Sequence, residues 1–191
     1  ARVLVVGAGG LGCPGITYLA AAGIGVIGVV DFDVVEVSNL HRQVLFNANH
    51  VGLNKAEVVE QIIQDAYPDT QVNAYSIQLD ATNAINVVME YDVVIDATDN
   101  SRSKYLLSDV CMLLGKALVY GSVYHYEALL SVFTRDTANY RDVFPQHNAD
   151  ANIRSCSADG VIGVVTGTIG CLQANEVMKL VTGIGTPLTN K

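Results

Sequence analysis

The sequence predicts an α/β fold: a doubly wound, mostly parallel sheet with an antiparallel end and a long polar crossover loop. Three observations predict it. Short apolar, β-branched runs alternate with segments of helical periodicity along most of the chain. The glycine-rich stretch GAGGLG, Gly7–Gly12, falls between the first such run and the first helical segment. A polar stretch over residues 136–159 breaks the rhythm before a final long helix.

Taken in order, Arg2–Val6 reads as a buried strand and Gly7–Gly12 as the turn that follows it. Leu11–Ala22 is rich in Gly and Ala and reads as a closely packed helix. Gly23–Gly25 ends it, and Val26–Asp31 is the second strand. This opening is a βαβ unit of the expected size, so the sheet is Rossmann-like. Apolar residues at Val58, Ile62, Ile63 and Ala66 give a helix over Asn54–Ala66. Gln71–Ser76 is a strand, Ala81–Met89 a helix and Asp92–Asp96 a buried strand. Arg102–Leu114 is helical, and Ala117–Tyr120 is a fifth strand. Glu127–Thr134 is a sixth, pairing at the end of the sheet. The stretch 136–159 carries Pro145, several Asn and several Asp, and has little periodicity. Val161–Val181 closes the pattern as a helix whose first turns are rich in small residues.

The bulk properties bound the function. The 191 residues suit one domain, residues 1–191, with a sizeable core. Net charge is −8, which argues against direct contact with nucleic acid. The four cysteines, Cys13, Cys111, Cys156 and Cys171, are far apart, which fits a reducing, cytoplasmic compartment. No apolar run is long enough for a membrane span. The chain starts directly on a strand and stops soon after a helix, so it reads as an excerpt of a longer protein.

Three segments carry the chemistry. In GAGGLG the glycines permit a tight turn and close approach of backbone to phosphate, and the helix start adds free N–H groups. Asp31, at the end of the second strand, is placed to accept hydrogen bonds from ribose hydroxyls. These features are shared with NAD-dependent oxidoreductases, which remain an alternative. The segment DFDVVEVSNLHRQ, Asp31–Gln43, with Lys55 beyond it, points elsewhere. Arg42 and Lys55 suit the charge of a departing polyphosphate, for which hydride transfer has no use. In DATDN, Asp96 ends the fourth strand or caps the next helix. Asp99 emerges past the strand, where an oxygen ligand could hold Mg²⁺. Asp99–Asn100 also reads as an N-cap for the following helix, a role compatible with metal binding. Cys156 lies in the polar loop beside Arg154 and just before a helix, a setting that lowers a thiol's pKa. Cys13, Cys111 and Cys171 fall on helices and read as core thiols.

Together these residues resemble the MoeB/ThiF family, the ancestral form of ubiquitin-activating enzymes. The resemblance covers essentially the whole chain. It rests on GAGGLG, DFDVVEVSNLHRQ, VGLNKA, DATDN, YRDVFP and the cysteine of CSADGV. The stretch over residues 160–185 is similar to the branch serving the molybdopterin synthase small subunit and the carrier of tRNA thiolation. The resemblance implies ATP and Mg²⁺ as cofactors. It implies that Gly7, Gly9, Gly10, Leu11, Gly12, Asp31, Asp33, Ser38, Asn39, Leu40, His41, Arg42, Lys55, Asp99 and Asn100 bind them, with Asp99 on the metal. Arg42, Lys55, Asp99 and Cys156 would be catalytic. The reaction would be adenylation of the C-terminal glycine of a ubiquitin-like sulfur-carrier protein ending in Gly-Gly. Activation or sulfur transfer through Cys156 would follow. A tRNA-modifying dehydratase of the same superfamily is the second alternative. Asn139 and Asp142 stand where many members carry a zinc-binding cysteine pair, which puts a structural zinc in question. At Tyr124–Leu129 this chain departs from the family pattern. A homodimer is expected, paired through the apolar helix Val161–Val181.

Overall fold

The computed structural model describes residues 1–145 and 160–191. The strands are β1 (Arg2–Val6), β2 (Val26–Val30), β3 (Gln71–Tyr75), β4 (Val93–Asp96), β5 (Ala117–Tyr124) and β6 (Glu127–Phe133). They form one sheet in the order β3-β2-β1-β4-β5-β6. The first five run parallel, and β6 pairs antiparallel with β5. The predicted class and the antiparallel end are both present. The helices are α1 (Gly12–Ala21), α2 (Lys55–Ala66), α3 (Ala84–Val88), α4 (Ser101–Leu114), the single turn α5 (Tyr140–Val143) and α6 (Gly163–Thr182).

Strand β1 is apolar at every position after Arg2 because both of its faces are covered. Val3 and Val5 join a core with Ile16, Leu19, Ile27, Ile63 and Val177. Leu4 and Val6 point to the other face and pack with Val88, Tyr91, Val94, Leu107 and Leu118. Full burial of a side chain of this size contributes about 1.5–3 kcal/mol before entropy is counted.

Two of the three glycines of α6, Gly163 and Gly170, have an internal explanation. A Cβ at Gly170 would collide with the Leu11 carbonyl oxygen, and one at Gly15 would sit 3.4 Å from the Gly170 carbonyl oxygen. Helices α1 and α6 therefore touch backbone to backbone. A Cβ at Gly163 would lie 2.7 Å from the His41 carbonyl oxygen, so the start of α6 presses on the loop carrying Arg42. Within the sheet-facing side, Gln173 donates from Nε2 to the Asp96 and Val119 carbonyls at 2.7 and 3.2 Å. Glu176 receives Lys179 Nζ at 2.6 Å and the Leu188 N–H at 2.9 Å. Val164 and Leu172 remain on an exposed face, Val164 at 78%.

Three expectations shift. The helix expected over Ala81–Met89 is the shorter α3, Ala84–Val88. Strand β5 runs four residues past its predicted end at Tyr120, through Gly121. Part of the predicted structureless stretch is ordered. Asn139 and Asp142 form a reciprocal cap that starts α5, the Asn139 side chain accepting the Arg141 N–H at 2.8 Å and Asp142 accepting the Asn139 N–H at 2.9 Å. The remainder, 146–159, lies outside the described residues and Cys156 with it.

Candidate active site

The strand order reverses between β1 and β4, and an open α/β sheet binds ligands at the carboxyl ends of its strands there. At that point lies a cleft of about 490 Å³, within the size range of small-molecule sites. The turn after β1 forms its floor. Gly7 has φ +101°, and a Cβ there would come within 2.6 Å of the Ala97 carbonyl oxygen on the neighbouring crossover. Only glycine meets both demands. A Cβ at Gly12 would collide with the Gly7 carbonyl oxygen, so Gly12 closes the turn without lining the cleft. Gly9, Gly10 and Leu11 face the cleft just ahead of the α1 N-terminus.

Asp31 ties β2 to this turn. One carboxylate oxygen accepts the Ala8 N–H at 2.7 Å, and the other accepts the Asp33 N–H at 2.9 Å. Burial raises its pKa above the ordinary 3.8. The Lys55 charge and the two N–H bonds oppose that shift. Asn54 caps α2, its side chain accepting the Ala56 and Glu57 N–H groups at 2.9 and 3.2 Å. That cap makes Lys55 the first residue of the helix. Lys55 is only 5% exposed, and its Nζ reaches Asp33 Oδ2 at 3.0 Å.

Arg42 is half-buried and faces the cleft. Its one described hydrogen bond to the backbone is long, Nη1 to the Ser38 carbonyl at 3.3 Å. The same carbonyl lies 3.0 Å from His41 Nδ1. Ser38 and His41 thus shape the loop behind Arg42 and stand outside the lining of the cleft. So does Leu40, whose side chain packs on the core. Asn39, Asp33, Asp99 and Asn100 line the cleft as well.

Asp99 fits a metal-holding role by its surroundings. It is exposed, and among the described residues its carboxylate has neither a hydrogen bond nor an ion pair. The residues on either side of it are pinned. Thr98 bonds back to Asp96, and the Asn100 side chain caps α4 by accepting the Ser103 N–H at 2.9 Å. The alternative zinc position has different chemistry, since Asn139 and Asp142 spend their side chains on the α5 cap. Among the described residues no cluster of three His, Cys, Asp or Glu gathers as a metal site.

Several cleft residues have no role in the sequence reading, although Phe32 and Gln43 lie within the stretch Asp31–Gln43. Lys104 is 7% exposed and lines the cleft from α4, with Asp96 and the Gly121 carbonyl as partners. Gln43 is buried beside Gly9, and its Oε1 has no partner among the described residues. Thr166 of α6 fills the space above Gly10. Phe32, Ile77 and Leu79 add an apolar strip next to Asp31. The thiols separate in kind. Cys13 and Cys111 are buried, and burial pushes both up to about 12. Cys171 is half-buried on α6 and is not part of the core.

A doubly wound sheet whose switch point gathers a glycine turn, the cations Arg42, Lys55 and Lys104, and several carboxylates defines a nucleotide-using α/β protein. The comparisons narrow this, and the chain belongs to the ThiF family, whose model matches residues 1–191. It is 44% identical to the sulfur carrier protein adenylyltransferase of Thermus thermophilus, covering 98% of this chain and 72% of that one. It is 45% identical to the adenylyltransferase and sulfurtransferase MOCS3 of Culex quinquefasciatus, covering 96% and 42%. It is 44% identical to the SAMP-activating enzyme E1 of Haloferax volcanii, covering 100% and 70%. The chain spans about half the length of the Mycobacterium tuberculosis relatives it matches. Among solved structures, Escherichia coli MccB with succinimide superposes with a TM-score of 0.86 at 24% identity, over 98% of this chain and 57% of that one. The same protein with ATP gives a TM-score of 0.85. These two likenesses establish the fold.

Proposed function

We propose that this chain is the adenylation domain of an enzyme that activates the C-terminal glycine of a ubiquitin-like sulfur-carrier protein with ATP. The convergence of Arg42, Lys55 and Asp99 with the glycine turn in one cleft carries the reading. It is supported by relatives named adenylyltransferases, one of them for a sulfur carrier. The triphosphate would lie over Gly9, Gly10 and Leu11, the ribose against Asp31, and the base along Phe32, Ile77 and Leu79.

The carrier's terminal carboxylate attacks the α-phosphorus of ATP. A carboxylate oxygen–phosphorus bond forms, the bond to the β-phosphate oxygen breaks, and pyrophosphate leaves with the electron pair. Negative charge grows on that leaving group, where Arg42 and Lys55 stabilise it better than the ground state. Asp99 would hold Mg²⁺, which neutralises phosphate charge when bound. Cys156 would then attack the carbonyl carbon of the carrier adenylate, the bond to the AMP oxygen breaking as AMP leaves, to give a thioester. A thiocarboxylate requires instead a persulfide placed on Cys156 by a sulfur donor and a second thiol that reduces the resulting acyl disulfide.

The setting follows from the same reading. No described helix is long and apolar enough to cross a membrane, and a cytoplasmic enzyme without direct nucleic-acid contact fits the acidic chain. The exposed face of α6 with Val164 and Leu172 is offered as the homodimer contact, with sedimentation as its check. Calorimetry tests the nucleotide assignment. ATP binding in the presence of Mg²⁺, with none for NAD, is the expected result. Tight NAD binding without ATP binding would refute it.

A further inference from the structure

We propose that the buried pair Asp96–Lys104 is a positioning device that holds Asp99 in the place where it meets the nucleotide's metal. The proposal rests on the nucleotide reading above and concerns residues that reading does not use.

Asp96 is fully buried at the end of β4. Three donors converge on its Oδ1: the Thr98 N–H at 2.9 Å, the Thr98 hydroxyl at 2.7 Å and Lys104 Nζ at 3.3 Å. Lys104 also reaches Asp96 Oδ2 at 3.3 Å, donates to the Gly121 carbonyl at 3.0 Å and lies 4.9 Å over the Tyr120 ring. On the backbone side, the Asp96 carbonyl receives Gln173 of α6. One carboxylate thus joins β4, the β4–α4 turn, α4 and β5 around the switch point.

The pair is costly as a stabiliser, because desolvating two charges offsets much of their attraction. Its position argues for a different use. Thr98 is locked on one side of Asp99, and Asn100 on the other is locked as the α4 cap. Between them, the Asp99 side chain has no partner among the described residues, and it faces the cleft. A carboxylate held this way meets a metal with its backbone already ordered, so binding costs less entropy.

The test compares ATP affinity with and without Mg²⁺ in the full-length protein and three variants. Wild-type protein is expected to bind ATP more tightly when Mg²⁺ is present than in chelator. Thr98→Val, which leaves the ion pair intact, should lose at least about five-fold of that gain while binding metal-free ATP normally. Lys104→Met should lose nearly all of it, and Lys104→Arg should restore most of it. If Lys104→Met does not fold, Thr98→Val and Lys104→Arg carry the test. A loss that falls equally on metal-free and metal-loaded ATP, or no loss in Thr98→Val, overturns the positioning role. A wild-type protein that binds ATP with no gain from Mg²⁺ overturns it too, while leaving nucleotide binding standing. A wild-type protein that binds no ATP removes the functional reading and this proposal together.

Discussion

Lys55 Nζ and Asp33 Oδ2 lie 3.0 Å apart, with the lysine buried and the aspartate exposed. This asymmetry makes Lys55 a probe. Its removal leaves Asp33 a solvated carboxylate but also takes a favourable charge away from buried Asp31, so stability is measured beside activity. Adenylation should lose much. Lys55→Ala and Asp99→Ala are each expected to cost ~2–4 kcal/mol of transition-state stabilisation, the range for one electrostatic contact, or about 30- to 900-fold in rate. Steady-state pyrophosphate exchange, run beside thermal melts, checks this. Near wild-type rates in either folded variant would refute the assignment.

Asp31 predicts a pH limb. Burial holds its pKa above 3.8, so it protonates earlier than an exposed carboxylate as pH falls. Because the fold disfavours its charged form, this group costs stability above its folded pKa, and acid relieves that cost. Nucleotide binding runs the other way under the proposed role, in which the ionised carboxylate accepts hydrogen bonds from the ribose. ATP affinity should therefore fall on the acid side while the protein stays folded. Asp31→Asn should bind more weakly at neutral pH and show no such limb. Calorimetry across that pH range decides it, and an identical limb in the variant would sink the role.

The contact between α1 and α6 predicts opposite effects at two glycines. Gly170→Val drives a side chain into the Leu11 carbonyl and should destabilise by about 1–3 kcal/mol. Gly167 has open space around it. Gly167→Ala should be neutral or gain up to about 1 kcal/mol from helix propensity. A domain of this size should then shift its Tm by roughly 2–4 °C per kcal/mol, read by calorimetric scanning. Equal shifts for both variants would contradict the packing.

The thiols should react in a fixed order. Cys13 and Cys111, pushed up to about 12, carry almost no thiolate at pH 8. Iodoacetamide on native protein should spare both. Cys156→Ala should leave pyrophosphate exchange near wild type and block formation of the sulfur-bearing carrier. Peptide mapping and mass analysis of the carrier check the two statements. Normal thiocarboxylate production by the variant would make Cys156 dispensable.

The sheet and much of the cleft were legible because their signals are local. The strand–turn–helix at Val6–Gly12 and the apolar run Val93–Asp96 announce themselves within a few residues. Asp31, Lys55 and Asp99 are read from their places at strand and helix ends. What stayed hidden depends on distant partners. Lys104 looks like an ordinary charge on the first turn of a helix, and its partners Asp96 and Gly121 belong to other elements. The strand is expected to end at Tyr120, yet β5 continues through Gly121 because β6 pairs along it as far as Tyr124, and glycine there leaves room for the Gln173 side chain. The apolar character of α6 suggested an interface, and part of it is spent on α1 and the Arg42 loop. The α5 turn had a local signal in Asn139 and Asp142, masked by the polar residues around it.

Carrier-dependent pyrophosphate exchange tests the central claim most directly. Full-length protein, ATP, Mg²⁺ and labelled pyrophosphate are mixed with a ubiquitin-fold sulfur carrier ending in Gly-Gly from the same organism. Label should enter ATP only when the carrier is present, because the adenylate must form before pyrophosphate can reverse it. A carrier lacking its terminal glycine should support no exchange. Exchange that proceeds equally without the carrier, or never proceeds with an intact one while ATP binds, would contradict the account.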